Sequence, residues 1–147
     1  MKKSLLFLQF AWMQAIVALL GSLYFSDVLG YPPCVLCWYQ RICMYPQVLL
    51  LGIAAVREDI SILRYTIPLT LIGLSISLYH NLLYYKLIAE SFAPCKFGVS
   101  CTTKFIEYFG FVTIPLMALV AFTIILICSV LAWRMHTNKH KKTHLDA

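Results

Sequence analysis

Charge is what this chain has least of. Only 12% of its 147 residues are Asp, Glu, Lys or Arg, and acidic residues number just 6, against 61% hydrophobic residues and a mean hydropathy of +0.80. A soluble domain of this length has no core large enough to hide so much apolar surface, so a bilayer is the natural solvent for it. The sequence also lacks an internal repeat and any low-complexity tract beyond a basic C-terminal stretch, which excludes a solenoid and leaves one membrane domain over residues 1–147. The 6 cysteines are too few and too dispersed for a secreted mini-protein stapled by disulfides. A net charge of +6 would suit a nucleic-acid partner only if it formed a basic face on a soluble surface; here the basic residues sit at the ends of apolar runs, so no nucleic-acid partner is expected. Met1-Lys2-Lys3 before a long apolar run imitates a secretory signal peptide, but the later apolar runs make a cleaved, secreted product a poor explanation.

What is present is a series of charge-poor runs long enough for a hydrocarbon core of ~30 Å at ~1.5 Å per residue. They predict an all-α integral-membrane bundle of four transmembrane helices, at about 5–25, 35–56, 65–85 and 108–133. Residues 86–107 form an outer loop and 134–147 a basic tail. Asp27, Gly30, Pro32 and Pro33 are tolerated just before a helix, which places the second helix start near Cys34. Lys2, Lys3, Arg57, Arg64, Arg134, Lys139, Lys141 and Lys142 fall on one side, whereas Arg41, Lys86, Lys96 and Lys104 fall on the other. The positive-inside rule therefore puts both termini in the cytoplasm and the loop outside. Trp12, Trp38, Tyr84, Tyr85, Tyr108 and Trp133 are expected at the membrane interfaces.

Two cysteine pairs, Cys34/Cys37 and Cys95/Cys101, lie outside the most apolar runs and on the outward, oxidising side. The first can brace a turn, hold a metal or act as a redox couple. A redox role has a mechanism: Cys37 lies in the first turn of a helix, whose unpaired N–H groups favour a thiolate, and Arg41 follows one turn later on the same face. A charged Arg41 at the edge of an apolar span either snorkels to the interface or meets a ligand, and a guanidinium there can donate hydrogen bonds to an oxygen-rich, membrane-soluble molecule. Cys95 and Cys101 can close a ring in a loop with Pro94 and Gly98, either as a staple or as an exchanging disulfide. Zinc in a four-cysteine site is the rival; against it, only one pair has the usual C-x₂₋₄-C spacing, so no metal site is expected. Cys43 and Cys128, within spans, are expected to be small buried hydrophobes. His80 is either a proton donor near the outer surface or an interfacial polar residue. His136, His140 and His144 are expected in a solvated tail.

With Cys34-Val35-Leu36-Cys37-Trp38-Tyr39-Gln40-Arg41 opening the second span and Cys95 to Cys101 preceding the fourth, the chain resembles the DsbB family of quinone-coupled disulfide oxidases, in its short Gram-positive BdbC type. The resemblance covers all four spans, and the C-x-x-C precedes the loop pair, unlike the order in the related vitamin K epoxide reductases. It implies a multi-pass protein of the bacterial cell membrane that reoxidises a DsbA- or BdbD-like thioredoxin-fold partner and passes electrons to a quinone, menaquinone or ubiquinone. It further implies that the partner attacks the loop disulfide at Cys95, that Cys101 resolves the complex or attacks Cys34, that Cys37 contacts the quinone, and that Arg41 and His80 lie beside the ring. The Cys95–Cys101 spacing is shorter than in the proteobacterial members.

Overall fold

The computed structural model describes residues 2–88, 94–95, 100–102 and 113–145, with side chains through 138. Four α-helices account for most of them: α1 Lys2–Leu23, α2 Val35–Arg57, α3 Leu63–Tyr84 and α4 Ile114–Leu145. No strand occurs among the described residues. The first, second and third helices match the expected runs to within a few residues. The start of the expected fourth span, 108–112, and most of the expected loop lie outside the described residues.

Each helix packs on two neighbours, α1 on α2 and α4, α3 on α2 and α4, which closes the bundle in chain order. The connections from α1 to α2 and from α2 to α3 are short and alternate the directions of these helices, and the Asn81–Pro115 hydrogen bond brings the start of α4 to the end of α3. The end of α1, the start of α2, the end of α3 and the start of α4 therefore share one end of the bundle, where Arg41 meets Ser22, Cys34 meets His80 and Asn81 meets Pro115. Arg57, Arg64 and Arg134 belong to the opposite end.

Two junctions explain why the elements stop where they do. Helix α1 passes into a π-turn over Tyr24–Val28, three residues beyond the expected end of the span, and Ser26 Oγ donates back to the Ser22 carbonyl at 3.3 Å. Gly30 then takes a φ of 69°, a left-handed conformation that costs little only without a Cβ. Between α2 and α3, Glu58 adopts the left-handed C-cap at φ 55°, and Asp59 caps the following 3₁₀ turn by accepting from the Ser61 N–H at 2.9 Å.

The bundle is apolar outside and partly polar within. On α1, Leu8, Ala11 and Ala15 are fully buried while Leu6, Phe10, Met13, Val17 and Leu20 are exposed. On α3 the inward face is Thr66, Thr70, Gly73, Ser77, His80 and Asn81, while Tyr65, Leu71, Ile72 and Leu78 point outward. Such continuous apolar exteriors are far larger than soluble monomers expose, and small or hydroxylated residues at helix contacts are what close packing in lipid selects. Among the described residues, three helical stretches, Lys3–Val28, Ile60–Tyr84 and Ile114–Asn138, are long and apolar enough to cross a membrane. Helix α2 is as long, but Gln40, Arg41 and Gln47 make it less apolar; Gln40 and Gln47 are buried against the other helices.

Two expectations change. Trp12 is a helix contact rather than an interfacial anchor, since its Nε1 donates to the Val48 carbonyl at 3.0 Å, and Gly52 leaves room for its ring. Tyr84 is buried. Helix α4 runs on to Leu145, so His136, His140 and His144 lie on continuous helical backbone.

Candidate functional site

The local sequence sets up the site. Pro32 and Pro33 fix φ and hold their predecessors extended, so the chain enters α2 from an extended Cys34 at φ −72° and ψ 171°, an N-cap conformation. The first free N–H groups of the helix then point back at Cys34, and the Cys37 N–H donates to Cys34 Sγ at 3.4 Å. The two sulfurs lie 2.9 Å apart. The helix terminus thus favours a thiolate at Cys34, where the sequence had suggested Cys37. Cys34 is held well below the ordinary thiol value of 9.0, to about 4: the Cys37 thiol donates to it, burial opposes the shift, and His80 adds a further hydrogen bond.

The second pair arrives from the loop. Cys95 and Cys101 form a disulfide with Cα atoms 5.8 Å apart, within the normal range for a bridge. The sulfurs of Cys34, Cys95 and Cys101 all lie within 4.8 Å of one another, so both pairs meet at Cys34. Cys37, Cys34 and His80 form a second group with the same mutual limit. A soft metal could in principle be held by the latter group, but two sulfurs of the first are bonded to each other and lack the thiolate charge that zinc ligation needs.

His80 is buried within the bundle, 2% exposed. Its Nε2 lies 3.2 Å from the Cys101 carbonyl oxygen and 3.8 Å from Cys34 Sγ, while Gln40 Nε2 lies 3.3 Å from its Nδ1. Asn81 next to it donates to the carbonyls of Ser77 and Pro115, both at 2.8 Å, and so ties the end of α3 to the start of α4.

Arg41 turns away from this cluster. Its Nη2 donates to the Ser22 carbonyl at 2.9 Å, and its guanidinium carbon sits 5.6 Å from the centre of the exposed Trp38 ring. Arg41 belongs to the wall of a cavity of ≈ 210 Å³ between α1, α2 and α4. Val17, Ala18, Phe25, Met44, Ala118 and Phe122 supply apolar walls, and Gln14, Gln40, Arg41, His80, Cys34, Cys37 and Cys101 the polar ones. A dry cavity of ~150 Å³ holds benzene, so this one has room for a substituted six-membered ring. Its lining suits a flat apolar molecule with hydrogen-bond acceptors: Arg41 has five N–H donors and spends one on Ser22.

All six expected site residues, Cys34, Cys37, Cys95, Cys101, Arg41 and His80, therefore converge on one end of the bundle. Sequence reasoning missed Gln14 and Gln40. A glutamine within an apolar span is costly without a partner, and its presence there was the available signal for both. Cys43 and Cys128 lie in or against a separate apolar cluster with Leu8, Leu51 and Ile125.

Comparison with known proteins agrees with this geometry. Residues 3–137 match the family model described as "Disulfide bond formation protein DsbB". The chain is 46% identical over 127 residues to "Disulfide bond formation protein C" of Bacillus subtilis, covering 86% of this chain and 92% of that protein. It is 52% identical over 120 residues to "Probable disulfide formation protein C 1" of Bacillus cereus, covering 81% and 86%. To "Probable disulfide formation protein C" of Halalkalibacterium halodurans it is 48% identical over 124 residues, covering 84% and 90%. No solved structure matches the chain.

Proposed function

Since the chain belongs to the DsbB family of disulfide bond formation proteins, we propose that this membrane disulfide oxidoreductase reoxidises an extracytoplasmic thioredoxin-fold partner at Cys95–Cys101 and delivers the electrons to a quinone beside Cys37 and Arg41. Four membrane spans, with α2 as the fourth, both termini in the cytoplasm and the cysteine end outside, complete this reading; the basic residues at the opposite end support it.

The observation that carries the proposal is the meeting of the two cysteine pairs at Cys34, within 4.8 Å, at the mouth of an apolar cavity. The partner's thiolate attacks the loop disulfide at Cys95 and forms a mixed disulfide, releasing Cys101 as a thiolate. The partner's second thiol resolves that bond, and the loop is left with two thiols while the partner leaves oxidised. Loop thiolate then attacks the Cys34–Cys37 bond, and after the second exchange the loop disulfide is restored and Cys34 and Cys37 hold the two electrons. No net proton or electron is lost in the exchange between pairs. The His80 N–H and the helix N-terminus stabilise the charge on Cys34 during it.

A bound quinone supplies a two-electron, two-proton acceptor. Arg41 and Gln14 would hold it by its oxygens, and Val17, Ala118 and Phe122 would exclude water around its ring. Arg41, fixed by Ser22, presents positive charge where negative charge develops.

Thiol trapping tests the proposal. With reduced partner supplied and quinone withdrawn, Cys34, Cys37, Cys95 and Cys101 accumulate as thiols that a membrane-impermeant maleimide labels from outside. Cysteines that stay oxidised throughout refute the relay, labelling only from the cytoplasmic side refutes the orientation, and stoichiometric metal in the fully reduced protein favours metal binding instead.

A further inference from the structure

We propose that Gln40 is a positioning residue that holds His80 as the neutral Nε2–H tautomer, aiming a fixed N–H donor at Cys34 and at the loop disulfide. The consequence for catalysis rests on the thiol-oxidase reading above; the tautomer itself does not.

The argument starts from what each partner can do. A backbone carbonyl only accepts, so His80 Nε2, 3.2 Å from the Cys101 oxygen, must carry a proton. Neutral imidazole has one N–H, so Nδ1 is then an acceptor and needs a donor. Gln40 provides it: its amide nitrogen lies 3.3 Å from Nδ1. The two assignments support each other, since the carbonyl fixes the ring and the ring fixes the orientation of the amide. Both side chains are buried, Gln40 at 7% and His80 at 2% exposure, so water does not compete for these positions.

The same Nε2 lies 3.8 Å from Cys34 Sγ. When loop thiolate attacks Cys34, a loop-to-Cys34 bond forms and the Cys34–Cys37 bond breaks with its electron pair on Cys37; the other loop thiolate then closes the loop disulfide, and Cys34 leaves with the electron pair of the loop-to-Cys34 bond. No proton moves at His80. The ring donates to the sulfur as its charge grows and, through the Cys101 carbonyl, keeps the loop disulfide beside it. Without Gln40 the Nδ1–H tautomer becomes available, and it presents a bare Nε2 to both the carbonyl and the thiolate, reversing attraction into repulsion.

The experiment uses the full-length protein with ¹⁵N-labelled histidine in lipid nanodiscs, its Cys34 and Cys37 reduced. The His80 signal is identified by its loss in His80→Gln. The expected wild-type spectrum is that of a neutral ring protonated at Nε2; a ring protonated at Nδ1, or at both nitrogens, overturns the inference even before any variant is made. Gln40→Met, of similar length and without a donor, should convert part of the signal to the Nδ1–H form and slow exchange between the two cysteine pairs about tenfold. Gln40→Glu, which accepts at Nδ1, should protonate that nitrogen. Unchanged tautomers in both variants overturn the assignment. The spectra are read whether or not the protein oxidises thiols. Wild-type protein that is inactive with an Nε2–H ring sinks the functional reading alone, and active protein with the other tautomer sinks this inference alone.

Discussion

His80 Nε2 and Cys34 Sγ lie 3.8 Å apart across 46 residues of sequence, and this contact joins α3 to the entry of α2. It puts an N–H donor on the sulfur that also receives the Cys37 N–H. Cys34 therefore collects the helix terminus, the histidine and the neighbouring thiol, while Cys37 shares the cavity wall with Arg41. Both sulfurs border the cavity, and the proposed function divides the C-x-x-C between them: Cys34, beside the loop disulfide, would exchange with it, and Cys37 would serve the ligand.

Reduced Cys34 should react as a thiolate far below the usual pH. Its folded value lies below the ordinary 9.0, at about 4, so ionised Cys34 stabilises the reduced fold fully above 9.0, and that contribution declines as pH falls and is gone below about 4. Iodoacetamide alkylation of Cys34 should stay nearly constant from pH ~9 to pH ~5 and drop near pH ~4. His80→Phe should move the drop upward. A rate that falls tenfold per pH unit from pH ~9 downward would show an ordinary thiol.

Arg41→Ala should separate the two half-reactions. The guanidinium borders the cavity and is held there by the Ser22 carbonyl. Quinone reduction should fall about 100-fold, the scale of removing one donor from developing charge, while single-turnover oxidation of the partner stays unchanged. Equal losses in both steps would show that Arg41 merely holds α1 to α2 through Ser22.

The C-x-x-C, the loop pair and Arg41 were legible because each breaks a local rule: cysteine pairs outside apolar runs, and a charge at the edge of a span. The helices were legible for the same reason, since lipid demands long uncharged runs. What single-chain spacing could not convey was convergence. That Cys101 sits beside His80 depends on how α3 and α4 close the bundle, and Gln40 looked like one more polar residue until His80 Nδ1 stood opposite it. The thiolate assignment shifted to Cys34 because the sequence places Cys37 in the first turn but does not say whose sulfur its N–H meets. Composition marks the tail as basic but does not say where α4 stops; nothing in 134–145 breaks a helix already running, and the helix continues to Leu145.

Gly73 is fixed by Phe122. A Cβ at position 73 would run into the Phe122 ring, and that ring, 1% exposed, also borders the cavity. Gly73→Ala should cost about 1–3 kcal/mol and weaken quinone binding, because the displaced ring has the cavity as its free space. Gly73→Ala with Phe122→Leu should recover most of the stability in a thermal unfolding series. If the double variant is no more stable than the single, the strain lies elsewhere.

Cys43 and Cys128 test whether the electron path is confined to four sulfurs. Among the described residues, the groups of nearby sulfur and imidazole ligands are Cys34 with Cys37 and His80, and Cys34 with Cys95 and Cys101; neither includes Cys43 or Cys128. Both of the latter pack with the apolar side chains of a different cluster, where no disulfide partner is present. Serine in either place keeps the volume and adds a hydroxyl that can donate to the carbonyl four residues earlier, which limits the cost of burying it to about 1 kcal/mol. Cys43→Ser with Cys128→Ser should therefore turn over at the wild-type rate and leave the four-thiol trapping pattern intact. Lost turnover in a double variant that still folds would place a fifth sulfur on the path, and the meeting point at Cys34 would no longer be sufficient for the relay.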